Sequence, residues 1–470
     1  MLLRSITLKN VRCFSGDATV DLTHGRADDQ PHKWVVVFGG NGTGKSTFLR
    51  AIGMALTGQP ALNHLLPDAE GLVRANEKHA EVSVVFSDGP HDVSTGRPRK
   101  TPRTLSWLLV GDEAVELEDG DQTRLVAAHS IVLDERGSQQ RKGDARLFLT
   151  QIATDDPQRG WLLCGYGPHR RLSGASSELA SQVPALGRAA RLVTLFHEKA
   201  ALTSAERWLQ NLDHRASVGQ QREKRNLELV KKVLDSELLH EGVSLREVSP
   251  DGVFFDTPYK AKVAMADLSD GYRTTLAFLL DMLQHIAHAF DLADVIGESN
   301  EHAVITAEGV VLIDEIDSHL HPEWQRTLPR WLHSRFPNVQ FVVATHSPLI
   351  PTCVAEGEGL VVRLQRVEEE GQSVIQPTLD LGRMGLTADQ NLTGPNFGLR
   401  TTRDVMTEEL EGEIQRLRAK VRSNQASDEE RAALTQLQFK FMEIAPAAPT
   451  YDDVAAWERD TKALQSAGEE

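Results

Sequence analysis

The stretch Gly39-Gly40-Asn41-Gly42-Thr43-Gly44-Lys45-Ser46-Thr47 constrains this chain more than any other, because it satisfies the phosphate-cradling pattern G-x-x-x-x-G-K-[ST] in full. The β-branched run Lys33-Trp34-Val35-Val36-Val37-Phe38 before it reads as a buried strand, and residues 47–56 after it read as a helix. The glycines are needed because backbone N–H groups must turn inward around phosphate oxygens, where a Cβ would obstruct turn or ligand. Lys45 is then placed to reach β- and γ-phosphates and Ser46 to offer a hydroxyl to Mg²⁺, with the helix N-terminus adding partial positive charge. Gly39, Asn41, Gly42, Thr43, Gly44, Lys45, Ser46 and Thr47 are accordingly the expected nucleotide-binding residues.

Charge decides what else is held. The formal net charge of −16 argues against broad coating of nucleic acid, although a local basic patch remains open. Such a patch exists in Arg97-Pro98-Arg99-Lys100-Thr101-Pro102-Arg103, which reads either as a phosphate contact or as a solvated hairpin loop. A chain of 470 residues accommodates roughly two to four domains and a sizeable core. Cys13, Cys164 and Cys353 form no CxxC pair, which excludes a disulfide framework or zinc module and favours a reducing cytosol. Residues 1–10 lack the apolar core of a signal peptide, and no stretch approaches the roughly 20 apolar residues of a membrane span. A cytoplasmic, soluble protein without a membrane partner is expected.

Residues 2–11 and 18–22 read as an antiparallel pair of strands, with Arg12 and Phe14 in the turn between them. An arginine and an aromatic there offer stacking surfaces for a nucleotide base, or form an ordinary exposed turn. Residues 80–87, 106–110 and 114–117 continue a β-rich lobe, and 161–167 return to strand character. Arg170 and Arg171, just beyond, either stabilise phosphate charge or cap acidic neighbours. Residues 184–241 read as helix with breaks near Thr203 and Ser217, forming an arm or hairpin rather than a long coiled coil. Strands return at 243–248, 253–256 and 261–265.

Two further strand ends carry polar chemistry. Gly309-Val310-Val311-Leu312-Ile313 runs into Asp314 and Glu315, and such unbroken apolar runs suit strands covered on both faces of a parallel sheet. Asp314 is placed to hold Mg²⁺ through water and Glu315 to polarise the attacking water. Val339-Gln340-Phe341-Val342-Val343-Ala344-Thr345 ends likewise, at His346, and ligands gather outside the carboxyl ends of such strands. The segment Ala266-Asp267-Leu268-Ser269-Asp270-Gly271-Tyr272-Arg273-Thr274 precedes an apolar helix over 275–289 and by itself reads as a helix cap.

The order P-loop, LSDGYR, VVLIDEID, VATHS resembles the ABC-type ATPases, in the soluble RecF/SMC/OLD-like branch. The run DEIDSHLHPEWQ through FPNVQFVVATHSPL looks like the OLD-like ATPases of bacterial defence and repair, and ITLKNVRCF resembles the first strand of the branch, which places Arg12 beside the nucleotide base. The fold this implies is an α/β ABC-type P-loop NTPase with a β-rich N-terminal lobe, a helical insertion and a C-terminal helical tail. The resemblance makes Ser269, Asp270 and Gly271 the signature that meets a nucleotide held by another subunit, and Asp314 the magnesium-associated carboxylate. Glu315 is then the catalytic base, Asp317 the D-loop residue and His346 the switch histidine. Asp270 departs from the commonest signature, which carries glycine there. The glutamine joining metal and water has only Gln151 and Gln158 as candidates, and His319 and His321 fit the family's loop rather than a metal site.

The expected segments are 1–183 and 243–380 for two ATPase lobes, 184–242 for the insertion and 381–470 for a docking or oligomerisation tail, a solvated helical tail being the alternative. The nearest named resemblances are the Septu (PtuA-like) and PARIS (AriA-like) anti-phage ATPases, the former preferred. They imply ATP and Mg²⁺ as cofactors, a homodimer or larger homo-oligomer, and an HNH or Toprim effector nuclease in trans. No nuclease is expected in cis, since residues after His346 show no carboxylate cluster for metal-assisted cleavage. A DNA-binding repair or recombination ATPase and a nucleotide-gated scaffold with little hydrolysis are the alternatives.

Overall fold

The structure, a computed structural model, describes residues 1–57, 65, 72–77, 79–89, 102–110, 162–170, 187–197, 200, 202–234, 242–258, 262–299, 302–352, 359–369, 372–381, 388–394, 405–423 and 425–444. The expected strand at 114–117, the basic run short of Pro102, Gln151, Gln158 and Arg171 lie outside them.

Leu2–Lys9 (β1) and Asp17–Asp21 (β2) pair antiparallel, followed by Trp34–Gly39 (β3), the glycine loop and Lys45–Ala55 (α1). His79–Ser87 (β4) and Arg103–Val110 (β5) complete an antiparallel sheet of order β2-β1-β4-β5. Leu162–Tyr166 (β6), a 3-10 turn at Gly187–Leu192 and the single turn Val193–Phe196 (α2) lead to two helices, Thr203–Ser217 (α3) and Gln221–Leu234 (α4). A meander of Ser244–Ser249 (β7), Gly252–Asp256 (β8) and Lys262–Ala264 (β9) precedes Asp270–Ala289 (α5) and Leu292–Val295 (α6). Next come a short hairpin, Ile296–Ser299 (β10) and His302–Ile305 (β11), then Gly309–Ile313 (β12), Pro322–Arg335 (α7) and Val339–Thr345 (β13). Gly359–Glu369 (β14) and Gln372–Leu381 (β15) form a long hairpin.

The apolar runs become neighbours in one six-stranded sheet of order β15-β14-β3-β13-β12-β6, parallel except for β15 at its edge. Strand alternation then divides the side chains between two cores. Val35, Val37, Val310, Leu312, Val342 and Ala344 face α1 and the antiparallel sheet. Trp34, Val36, Val311, Ile313, Phe341 and Val343 face the helical layer of α3, α4, α5 and α7. Burial on both faces explains why these strands carry no polar alternation. Gln340 is the exception, fully buried on β13, and it is satisfied by β1 and the segment before β3: Leu3 N–H donates to Oε1 at 2.7 Å, and Nε2 donates to Leu3 and His32 carbonyls at 3.0 and 2.9 Å.

Within 184–242, α3 and α4 pack together as a hairpin, and their apolar stripe of Ala205, Leu209, Leu212, Leu227, Val230 and Val233 lies in the second core. They share that core with strands from both ends of the compact unit Met1–Ala388. Ala388–Thr393 (α8) begins at the boundary of a second unit, Asp389–Glu470. That unit contains Val405–Arg422 (α9) and Asp428–Ile444 (α10), in the segment expected to be a helical tail. Ser427 and Glu430 form a reciprocal capping box at the start of α10: Glu430 N donates to Ser427 Oγ at 3.2 Å and Ser427 N to Glu430 Oε2 at 3.0 Å.

Candidate functional site

Parallel pairing puts the carboxyl ends of β3, β13, β12 and β6 on one edge, with Phe38 opposite Thr345, and Ile313 opposite both Val343 and Tyr166. The loop 39–44, Asp314 and Glu315, His346 and Arg170 each follow one of these ends. Motifs from distant parts of the chain therefore share one edge.

The loop's shape depends on its glycines. Gly44 caps α1 in the left-handed region at φ 89°, and a Cβ there would collide with Cys13 Sγ and crowd Phe14. A Cβ on Gly39 would stand 2.7 Å from the Leu364 carbonyl oxygen of β14. Thr43 Oγ1 donates to the Gly40 carbonyl at 2.9 Å, and Lys45 Nζ donates to the Gly39 and Gly40 carbonyls at 2.9 and 3.0 Å. The ammonium thus lies inside the loop. Phe14 is not a stacking surface: at 1% exposure it is core, pressed beneath Gly44, which corrects the reading of that aromatic. Arg12 is exposed at φ 50°, with its backbone N–H donating to Leu72 O at 2.9 Å.

Asp314 is buried at 2% exposure, its N–H donating to Tyr166 O at 2.8 Å, and its Oδ1 has no hydrogen-bond partner among the described residues. A buried carboxylate oxygen without a donor suits a hard divalent cation, and the Ser46 hydroxyl is of the oxygen type that Mg²⁺ would take as a further ligand. Glu315 follows with φ 47°, a backbone state that costs a non-glycine residue about 1–2 kcal/mol and ends the extended strand.

Arg170 holds that turn. Buried at 6% exposure, its guanidinium donates to the carbonyls of Asp314, Glu315 and Ser318 at 3.4, 3.0 and 3.5 Å. Burial lowers its pKa to about 10, opposed by Asp317, Asp314 and Glu315, so it stays charged at neutral pH. Of its two sequence readings, the structure shows the brace for an acidic turn. Arg170→Met is expected to lower stability by about 1–3 kcal/mol, since it leaves carbonyls unsatisfied, and to slow turnover by loosening Glu315. Thermal unfolding measured beside the ATPase rate checks both.

Burial also lowers the Lys45 pKa, against the pull of Asp314, Glu315 and Asp317. The His346 pKa is lowered by partial burial first and by Lys45 second, with the same carboxylates opposing. His346 is thus neutral at neutral pH. One electrostatic cluster therefore contains Lys45, His346, Arg170 and three carboxylates, a balance that leaves room for a cation.

The remaining expected residues are placed as follows. Asp317 accepts a hydrogen bond from Thr345 Oγ1. Ser269 is the N-cap of α5 with no side-chain capping bond, and the helix begins at Asp270, ahead of the apolar run that marked it in the sequence. Asp270 pairs with Arg273, and a Cβ on Gly271 would approach His319 O at 3.0 Å. Tyr272 packs edge-on against Trp324 with ring centroids 4.7 Å apart. His321 caps α7, accepting from Glu323 N at 3.4 Å, and His319 sits at φ 64°. No metal-binding group of three or more His, Cys, Asp or Glu side chains occurs among the described residues.

Sequence reasoning missed Arg74 and Arg366. Arg74 Nη1 donates to the Arg12 and Cys13 carbonyls, both at 3.3 Å, and Arg366 of β14 reaches within 3.8 Å of a Cβ built on Gly42. With Arg12 they surround Cys13 at the rim of the loop. Nothing local marks them, because β14 joins β3 only through the fold.

Among proteins of known name, Septu protein PtuA of Bacillus mycoides (strain KBAB4) is 25% identical over 383 residues, which is 82% of this chain and 43% of that protein. The "Retron Vc95 probable ATPase" of Vibrio cholerae serotype O1 biovar El Tor is 38% identical over 94 residues, 20% of this chain and 17% of that one. The chain thus spans less than half the length of these relatives. Among solved structures, an SMC head bound to the C-terminal winged-helix domain of ScpA is 14% identical and covers 80% of this chain and 98% of its own, with a TM-score of 0.47. The sequence resemblance to PtuA-like ATPases is thereby borne out. The family profile described as "AAA domain, putative AbiEii toxin, Type IV TA system" matches residues 35–350, more than half of the chain and all of the strand-end motifs, and the chain belongs to that family.

Proposed function

We propose that this chain binds and hydrolyses ATP, pairs head to tail with a second copy around two nucleotides, and governs a separately encoded effector nuclease in anti-phage defence. One observation carries the reading. The loop, Asp314, Glu315 and His346 meet at one sheet edge, while Ser269 is the N-cap of α5 and Asp270 and Gly271 open that helix beside Arg273 and the His319 carbonyl. This grouping supports reading the loop edge as one half of an ABC-type site, to which a second copy would bring the other half. The names of the PtuA and retron relatives supply the defence context.

In this mechanism the loop amides hold the phosphates, and Lys45 exchanges the Gly39 and Gly40 carbonyls for phosphate oxygens. Mg²⁺, held by Ser46 and Asp314, would supply charge neutralisation at the β- and γ-phosphates. Glu315 orients the attacking water and accepts its proton, and neutral His346 donates a hydrogen bond toward the γ-phosphate. Arg170 braces the left-handed turn at Glu315 through its carbonyl. The partner's signature would close the site, so assembly would depend on ATP.

Light scattering and phosphate release test the reading together. Purified chain with Mg²⁺ and ATP is expected to at least double its mass and turn over at about 1 s⁻¹ or slower, given the altered signature. A mass that ignores nucleotide, with no phosphate released, would sink it. DNA cleavage by the purified chain alone would remove the effector in trans.

A further inference from the structure

The first turn of α7 carries a polar network that the assigned motifs leave unused. Gln325 Nε2 donates to the Leu320 carbonyl at 2.9 Å and more weakly to that of Asp317 at 3.5 Å. Its Oε1 accepts from Ser347 Oγ at 2.6 Å. Ser347 N donates to Thr345 Oγ1 at 2.9 Å, and Thr345 Oγ1 donates onward to Asp317 Oδ1. Ser347 Oγ also accepts from Leu349 N at 3.1 Å. Thr345 and Ser347 are buried at 0% and 7% exposure, so these polar groups have little access to water instead. The ring closes on itself: α7, the 317–320 turn and the end of β13 with the segment after it are joined through four side chains, those of Gln325, Ser347, Thr345 and Asp317.

His346 stands between two of its members, exposed but with both backbone neighbours tied down. Asp317 is held at its carboxylate and its carbonyl by the same ring. The residue before Gln325, Trp324, packs on Tyr272 next to Ser269, Asp270 and Gly271. One helical turn therefore touches the start of α5 through Trp324 and the His346 segment through Gln325.

We propose that Gln325 and Ser347 are positioning residues that hold His346 and Asp317 in one register and transmit displacement of the α5 start to them. The consequence, which rests on the ATPase reading above, is that engagement of one chain's signature with its partner's nucleotide adjusts the geometry of its own hydrolytic site. Neither side chain needs to touch nucleotide. Their loss should therefore lower turnover while leaving nucleotide affinity nearly intact.

The test compares Gln325→Leu, Ser347→Ala, the double variant and Ser347→Thr as full chains, with Kd from a fluorescent ATP analogue and kcat from phosphate release. Each single change is expected to lower kcat about tenfold with Kd within about twofold, and the double variant to be no slower than the worse single one, because either change opens the same ring. Ser347→Thr keeps the hydroxyl and should retain at least about half of the rate. Unchanged kcat, single losses that multiply in the double variant, or Kd weakening in step with kcat would each overturn the proposal. Should the unaltered chain bind ATP without turnover, the ATPase reading fails, and amide hydrogen exchange then decides the network alone. Gln325→Leu should deprotect residues 316–320 and 345–349 together, and deprotection confined to one segment refutes the coupling.

Discussion

Glu315→Gln is expected to reduce ATP turnover by on the order of a hundredfold or more while ATP binding and ATP-driven assembly persist, the loss typical when a positioned general base is removed. The amide keeps the volume of the carboxylate but cannot take the proton of the attacking water. The structure separates this chemical effect from a folding effect. Arg170 and Ser318 N bind the Glu315 carbonyl, not its side chain, at 3.0 and 2.9 Å, so the strained turn keeps its supports. Stability should stay within about 0.5 kcal/mol of the unaltered chain. Removing one of three carboxylates around Lys45 also reduces repulsion toward a triphosphate, so affinity should rise rather than fall. The variant should accumulate in the assembled form at ATP concentrations where the unaltered chain cycles. Phosphate release and light scattering on one sample decide it, and equal rates for the two proteins would remove Glu315 from its role.

What the sequence displayed of this site follows from where its residues sit. Residues 34–38, 309–313 and 339–344 are covered on both faces, so they are apolar throughout except for Gln340, and the glycine loop, the Asp314-Glu315 pair and Thr345-His346 that end them stand out. The hairpin of β14 and β15 lacked that signal. Its strands mix Arg363, Gln365, Arg366, Gln376 and Thr378 with the apolar positions, and Pro377 lies in β15, an edge strand that tolerates a missing N–H. Yet β14 pairs directly with β3, and its Leu364 and Arg366 lie against the phosphate loop. Phe14 illustrates the opposite error. An aromatic in a polar turn reads as exposed, and only Gly44 pressed against it shows that the turn is a floor for the loop. Arg170 was undecidable by inspection because its partners are backbone carbonyls of residues 314, 315 and 318. Gln325 and Ser347 had no visible pattern, since each pairs with a residue brought near by strand order.

The site is organised by strain and burial as much as by motif. Glu315 and His319 both occupy the left-handed region, on either side of Asp317, and successive turns bind Ser318 N to Glu315 O and Leu320 N to Asp317 O at 2.9 and 3.1 Å. Backbone conformations of this kind persist only where surroundings over-determine them. Arg170 from β6's end and Gln325 from α7 are those surroundings, one on each flank. A turn held from two elements can respond to either.

Lys45→Ala is expected to weaken ATP binding by about a hundredfold or more, within the roughly 2–5 kcal/mol range for truncating one partner of a buried charge pair. Two consequences of the change must be kept apart. Without nucleotide, Lys45 donates to the Gly39 and Gly40 carbonyls, so its removal takes donors from the loop and costs some stability whether or not ATP binds. With nucleotide, the loss is of a cation facing phosphates, and thermal unfolding in the absence of ATP measures the first effect alone. The electrostatics offer a second readout. Lys45 is one cause of the lowered His346 pKa, while Asp317, Glu315 and Asp314 pull it upward. Deleting the ammonium leaves those carboxylates less opposed, so the His346 pKa should rise from its lowered position, observable by titrating its ring protons. The sign follows from burial remaining in place while one positive charge disappears. A chain that requires ATP to assemble should then remain at its nucleotide-free mass under ATP that saturates the unaltered protein. A Kd within about threefold of the unaltered chain would show that phosphates do not enter the loop, whatever the stability change.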